Sequence, residues 1–88
     1  MIVTLRQMQY VISVAKTGSF SEAARECGAD QSTVSQQIKT FEDRLGVTIF
    51  DRKSLPIKVT AEGEKIIVKC EHIIERVEHL IAPFKSRG

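Results

Sequence analysis

Apolar positions at the start of the chain recur every three or four residues. Leu5, Met8, Val11, Ile12 and Ala15 form one stripe at helical period. Thr4-Leu5-Arg6-Gln7, ahead of it, has the form of a capping box, with a hydroxyl at the N-cap and Gln at N3. Gly18 suits a left-handed C-cap. Ser19-Phe20-Ser21-Glu22 repeats the box, Ala23, Ala24 and Cys27 carry an apolar face, and Gly28 ends a second helix of about eight residues. The small Ala23 and Ala24 let another helix approach closely. After the Gly28-Ala29-Asp30 turn, where Asp30 can cap the next segment, Val34, Ile38, Phe41 and Leu45 are spaced four, three, four. Gly46 closes this third helix. A short helix, a tight glycine turn and a longer helix follow the helix-turn-helix order.

Val47 to Phe50 is β-branched and aromatic and predicts a short strand. Asp51 to Pro56 is a polar turn carrying Arg52 and Lys53, and Ile57-Lys58-Val59 alternates as a return strand. A two-stranded ribbon directly behind a helix-turn-helix is a wing. Thr60 is placed to cap the last helix. Along it Ile66, Cys70, Ile73, Val77, Leu80 and Phe84 follow heptad a/d spacing, and Ile67, Ile74 and Ile81 add a second row. The stripe is too wide for one partner: one edge can pack on the first helix, leaving Ile66, Cys70, Ile73, Ile74, Val77, Leu80, Ile81 and Phe84 as candidates for a homodimer seam. Pro83 disfavours clean continuation of the helix. The pattern therefore predicts a mainly α chain: a winged helix-turn-helix over 1–60, a long linker and dimerisation helix over 61–84, and a disordered tail over 85–88.

Length and composition narrow the function. The 88 residues hold one small domain, too short for a barrel or a two-layer α/β enzyme. Apolar residues make up 42%, enough to fold, yet so modest a core favours a second subunit. Thirteen Lys and Arg against 11 Asp and Glu give a formal charge of +2, a weak pointer to nucleic acid. Cys27 and Cys70, with no signal peptide, point to a reducing compartment, the cytoplasm, rather than to a disulfide. They have no zinc-type spacing with each other or with His72 and His79. With no membrane-length apolar run, nucleophile–base pair, phosphate loop or metal cluster, no membrane span, enzyme, cofactor or metal site is expected.

At about 100° per residue, the Val34–Leu45 stripe of the third helix points inward. Ser32, Gln36, Lys39 and Asp43 then point outward, flanked by Ser35 and Thr40. An α-helix fits the major groove of B-DNA, and short serines let its backbone come close. Gln36 can offer a donor and an acceptor to adenine, and Lys39 can reach a phosphate or a guanine edge. Gln31 sits at the first turn, where free amides and the helix dipole favour a phosphate. In the wing turn, Arg52 and Lys53 can approach the sugar-phosphate backbone or the minor groove, supplying salt-dependent affinity.

These residues resemble a known family. Phe20, Ala23-Ala24, Gln31-Ser32, Ser35, Ile38, Glu42, Leu45-Gly46, Phe50, Arg52, Thr60 and Gly63 stand in the order and spacing of the N-terminal domain of LysR-type transcriptional regulators. The resemblance runs from about Leu5 to the last helix. It implies a winged helix-turn-helix, a linker helix that dimerises, and sequence-specific binding to double-stranded promoter DNA. It supports Gln31, Ser32, Thr33, Ser35, Gln36 and Lys39 on the recognition helix, and Arg52, Lys53 and Pro56 in the wing, as DNA contacts. Gln36 stands where Arg is frequent and Leu55 where a basic residue is frequent, which leaves the preferred bases open. Such regulators continue into a ligand-sensing domain of about 200 residues, so the chain reads as a DNA-binding part lacking its effector-binding domain.

Two other readings stay open on the sequence. The apolar last helix permits a protein-binding module without DNA affinity, which titration on random duplex would separate. Cys70 on the seam permits an intersubunit bridge under oxidation, whereas Cys27 reads as an inert apolar residue.

Overall fold

Four helices and a two-stranded ribbon make up the computed structural model, which describes residues 2–85. The order is α1 (Leu5–Thr17), α2 (Phe20–Cys27), α3 (Gln31–Leu45), β1 (Phe50–Asp51), β2 (Lys58–Val59) and α4 (Ala61–Lys85). The expected fold class holds: mainly α, a winged helix-turn-helix with a long C-terminal helix. Residues 86–88 of the expected tail lie outside the described residues, and Lys85 is the last residue of α4.

α1 is the central element, packed against α2, α3 and α4. Three neighbours bury a wider arc than the expected stripe. Tyr10 and Val14 join Met8 and Val11 inside, while Leu5, at the first turn, stays exposed. Val11, Val14, Ala23, Val34, Ile38 and Ile49 have no exposed surface and form the centre of the core. Ala23 and Ala24 are the buried residues of α2, as their size predicts. The two polar side chains that α1 buries are satisfied: Gln7 Nε2 donates to Gln37 Oε1 (3.1 Å) and Ser13 Oγ to Glu26 Oε1 (2.8 Å).

Local capping explains where the helices begin and end. The Thr4 box forms in both directions, and Gly18, Gly28 and Gly46 take left-handed φ values at the three C-caps. The second box forms by half. Ser19 accepts from Glu22 N, but its own amide donates to Thr17 Oγ1 in place of Glu22. Asp30 makes no side-chain cap, contrary to expectation. It is exposed, and water competes with the amides for its carboxylate.

The wing strands are shorter than predicted, for a visible reason. Ile49 N and Phe50 N donate to the Glu42 carboxylate (2.7 and 3.2 Å), and Ile57 N donates to Gly18 O (3.1 Å). With Ile49 N and Ile57 N engaged outside the ribbon, and Val47 N closing the end of α3 on Glu42 O (3.1 Å), pairing is confined to Phe50 with Val59 and Asp51 with Lys58, antiparallel. Thr60 caps α4 by accepting from Gly63 N (2.9 Å). α4 runs through Pro83 to Lys85, past the expected stop.

Candidate nucleic-acid interface

α3 and the wing together build one surface. The inner side of α3 buries Val34, Ile38 and Phe41. This turns Gln31, Ser32, Thr33, Gln36 and Lys39 to solvent, with Ser35 half-buried at the edge toward the wing. Leu45, counted in the core stripe from its spacing, is 39% exposed, because the last turn of α3 overhangs the core. The first turn of α3 has no side-chain cap, so its leading amides remain available to an anion. Lys39 Nζ is 3.1 Å from Asp43 Oδ1, a solvent-exposed pair of little strength.

The wing is held at both ends. Its return strand is tied to the α1–α2 turn through Ile57 N and Gly18 O. Pro56 lies beside Gly18: a Cβ added to Gly18 would come 3.2 Å from Pro56 Cβ. Asp51 shapes the tip by accepting from Lys53 N (3.0 Å) and Ser54 Oγ (3.2 Å). Lys53, Leu55 and Pro56 are exposed there. Between α3 and the wing lies a cleft of about 720 Å³ lined by Ser35, Gln36, Lys39, Glu42, Arg52 and Lys53.

Arg52 behaves differently from the other expected contacts. Its guanidinium donates to Ser35 Oγ (2.8 Å), Ser35 O (3.4 Å) and Glu42 Oε1 (3.2 Å), and lies 4.7 Å from the Phe20 ring centre. Its side chain is one-third exposed (33%). Glu42, which the pattern analysis gave no role, is thus a buried node for the whole wing. One signal for it was present in the sequence: an acid adjoining Phe41 on the inner side of a core helix.

The expected dimer seam divides. The first half of α4 is used inside the chain: Cys70 is 3% exposed, with Ile66, Ile67 and Ile74 packed around the same core. Cys70 is therefore packed on the chain's own core, because this part of α4 lies on α1. Burial pushes its thiol pKa up, and Glu71 adds to the rise. Val77 is half-buried, while Ile73, Leu80, Ile81 and Phe84 are exposed. An apolar groove of about 340 Å³ opens beside this helix, lined by Met8, Phe41, Leu45, Ile66, Cys70 and Ile73 among others. Among the described residues no group of acidic, His and Cys side chains can hold a metal ion, and no helix is long and apolar enough to cross a membrane.

Residues 5–64 match the family model described as bacterial regulatory helix-turn-helix protein, lysR family. A probable nitrogen assimilation transcriptional activator of Synechococcus elongatus is 44% identical over 71 residues, covering 81% of this chain and 23% of the relative. The chain thus spans about a quarter of that relative's length. Among solved structures, Vibrio fischeri DarR in complex with DNA superposes with a TM-score of 0.90 at 28% identity, covering 98% of this chain and 30% of that one. The BenM DBD bound to benA site 1 DNA superposes at 0.89 and 28% identity, covering 96% of this chain and 94% of that one.

Proposed function

The chain belongs to the lysR family of bacterial regulatory helix-turn-helix proteins, and we propose that two copies, joined through α4, lay their α3 helices into successive major grooves of promoter DNA. It is the DNA-binding part of a transcriptional regulator, in a family of regulators rather than of enzymes. The observation that carries the proposed contacts is the outward face of α3. It is polar, short-chained at Ser32 and Thr33, uncapped at its first turn, and flanked by a wing.

In this reading the α3 amides at Gln31 and Ser32 receive a phosphate. Ser32, Thr33, Ser35 and Gln36 face base edges, with Gln36 bidentate to an adenine. Lys39 exchanges its weak pairing with Asp43 for DNA, and Lys53 beside Pro56 meets the backbone. The second copy is the occupant of the exposed α4 seam. Ile73, Leu80, Ile81 and Phe84 of one copy meet the same row and the neighbouring apolar groove of the other, with Val77 at the edge. Such pairing holds two recognition helices about one DNA turn apart, ~34 Å, or a multiple of it. The chain works in the cytoplasm, beside the promoter.

Selection of duplexes from a random library, followed by titration at several salt concentrations, tests the reading. Wild type should prefer selected over scrambled duplex. Gln36→Ala should relax preference at one position of each half-site, with about 1–3 kcal/mol of discrimination lost there. Equal affinity of wild type for selected and scrambled duplexes would overturn the proposal.

A further inference from the structure

From the ring of contacts around Glu42 we infer that Arg52 is a positioning residue, setting the distance and angle between recognition helix and wing, rather than a phosphate ligand. The inference rests on the DNA-reading function proposed above.

The two carboxylate oxygens of Glu42 have separate tasks. Oε2 accepts from Ile49 N and Phe50 N, so it holds the backbone where the wing begins. Oε1 accepts from Arg52 Nη2, so it holds the side chain where the wing turns. The other arm of Arg52 reaches back to Ser35 Oγ, two helical turns before Glu42 on α3. The Phe20 ring lies against the guanidinium, 4.7 Å from its centre, and stacks edge-on with Phe50 at 6.1 Å. α2, α3 and β1 are therefore clasped by one planar cation.

This arrangement uses what arginine has and lysine lacks: a flat, rigid fork with several donors and a face for an aromatic ring. It also removes Arg52 from the electrostatics of DNA binding. Three of its five N–H donors are committed to α3, and the buried carboxylate, 3.2 Å away, offsets its charge. Ser35, a candidate for base contact, is oriented by the same fork. Loosening the clasp shifts the wing and the Ser35 hydroxyl together, so it degrades sequence discrimination before it degrades attraction to phosphate.

Arg52→Lys separates the two roles, because it keeps the charge and loses the fork. The probes are a duplex selected from a random library on the wild-type chain and a scrambled duplex of the same composition, each titrated across salt. For a positioning residue, the ratio of selected to scrambled affinity falls about tenfold in Arg52→Lys. The slope of log affinity against log salt on scrambled duplex stays at the wild-type value. Arg52→Gln gives the same loss of ratio with the same unchanged slope. The opposite pattern overturns the inference: full retention by lysine, with a slope shallower by about 0.9 per protomer and an unchanged ratio in Arg52→Gln. Phe20→Leu leaves the charge and the fork but removes the stacking face. It should reduce the ratio about threefold with no change of slope, and an unchanged ratio also counts against the clasp. It keeps the question open to measurement where the arginine variants melt too low to assay. A wild-type chain that does not distinguish the two duplexes refutes the DNA-reading function itself, before any variant is made.

Discussion

Truncating Glu42 to alanine should destabilise the domain far more than a surface carboxylate would. The residue is 5% exposed and its Oε2 accepts from two amides, Ile49 N at 2.7 Å and Phe50 N at 3.2 Å. Removing the carboxylate leaves both amides without that acceptor, beside residues that are themselves buried. Each buried donor so orphaned costs about 1–3 kcal/mol. The ion pair with Arg52 adds little, about 1 kcal/mol or less, because the arginine is one-third exposed and water can take over as its partner. The sum is about 4 kcal/mol, against the 5–15 kcal/mol that typically stabilises a domain. For a domain of this size the melting temperature should fall by roughly 15–30 °C.

Thermal melts followed by circular dichroism measure the shift, at one protein concentration because association contributes to apparent stability. Glu42→Gln is the informative control. It keeps one carbonyl acceptor for the wing amides but replaces the oxygen that accepts from Arg52 with an NH2 donor and loses the charge, so it should cost about 1–2 kcal/mol. A Glu42→Ala melt within about 4 °C of wild type would show that the carboxylate does not satisfy the wing amides. Equal losses in the two variants would assign the effect to the charge and the Arg52 contact, and refute the argument from the wing amides.

Gly63→Ala should lower stability by about 1–3 kcal/mol in the same melts, because a Cβ there would sit 2.5 Å from Ile49 O and 2.9 Å from Ile49 Cα. Both atoms are backbone, so the first turn of α4 must move, and a wild-type melt would refute the close approach. In the native chain Cys27, half-buried, should be alkylated well before Cys70, whose thiol is buried and raised in pKa. The neutral Cys70 thiol is the favoured form in the fold. Its stability contribution is therefore complete at neutral pH and declines as pH rises through the raised pKa. Equal alkylation rates, or a melting temperature that rises with pH in that range, would contradict the burial.

Much of the framework was legible because its signals are local. The Thr4 box, the glycines at 18, 28 and 46, and the Val34-Ile38-Phe41 spacing each act within one or two helical turns. What escaped was non-local. The strand expected from Val47 is cut back because Val47 N closes the end of α3 on Glu42 O and Ile49 N is taken by the Glu42 carboxylate, seven residues earlier. Arg52 in a polar turn has the composition of a phosphate ligand, yet its partners lie 10 and 17 residues away on another element. Cys70 belongs to the heptad seam by spacing and to the core by packing, because the row it shares with Ile66 is covered by the same chain. Leu45 shows the converse: its spacing continues a buried row beyond the point where the core covers it.

The balance of charge explains why a clasped wing matters here. A formal charge of only +2 gives the chain as a whole a weak net field toward DNA. On the α3 and wing face Arg52 is offset by Glu42, and Lys39 is partnered with Asp43. In the proposed dimer, even with Lys39 released to DNA, Lys39, Lys53 and Lys58 would offer about six phosphate contacts, a salt slope near −5. Sequence discrimination must then come from several weak polar contacts made at once. Contacts of that kind add only when their relative positions are fixed beforehand, since each degree of freedom left in the wing is ordered at the expense of binding. A rigid fork joining Ser35, Glu42 and Phe20 supplies that fixation within one protomer, and the proposed pairing through α4 would supply it between two. On this argument, disruption of either joint reduces selectivity more than it reduces affinity for arbitrary duplex.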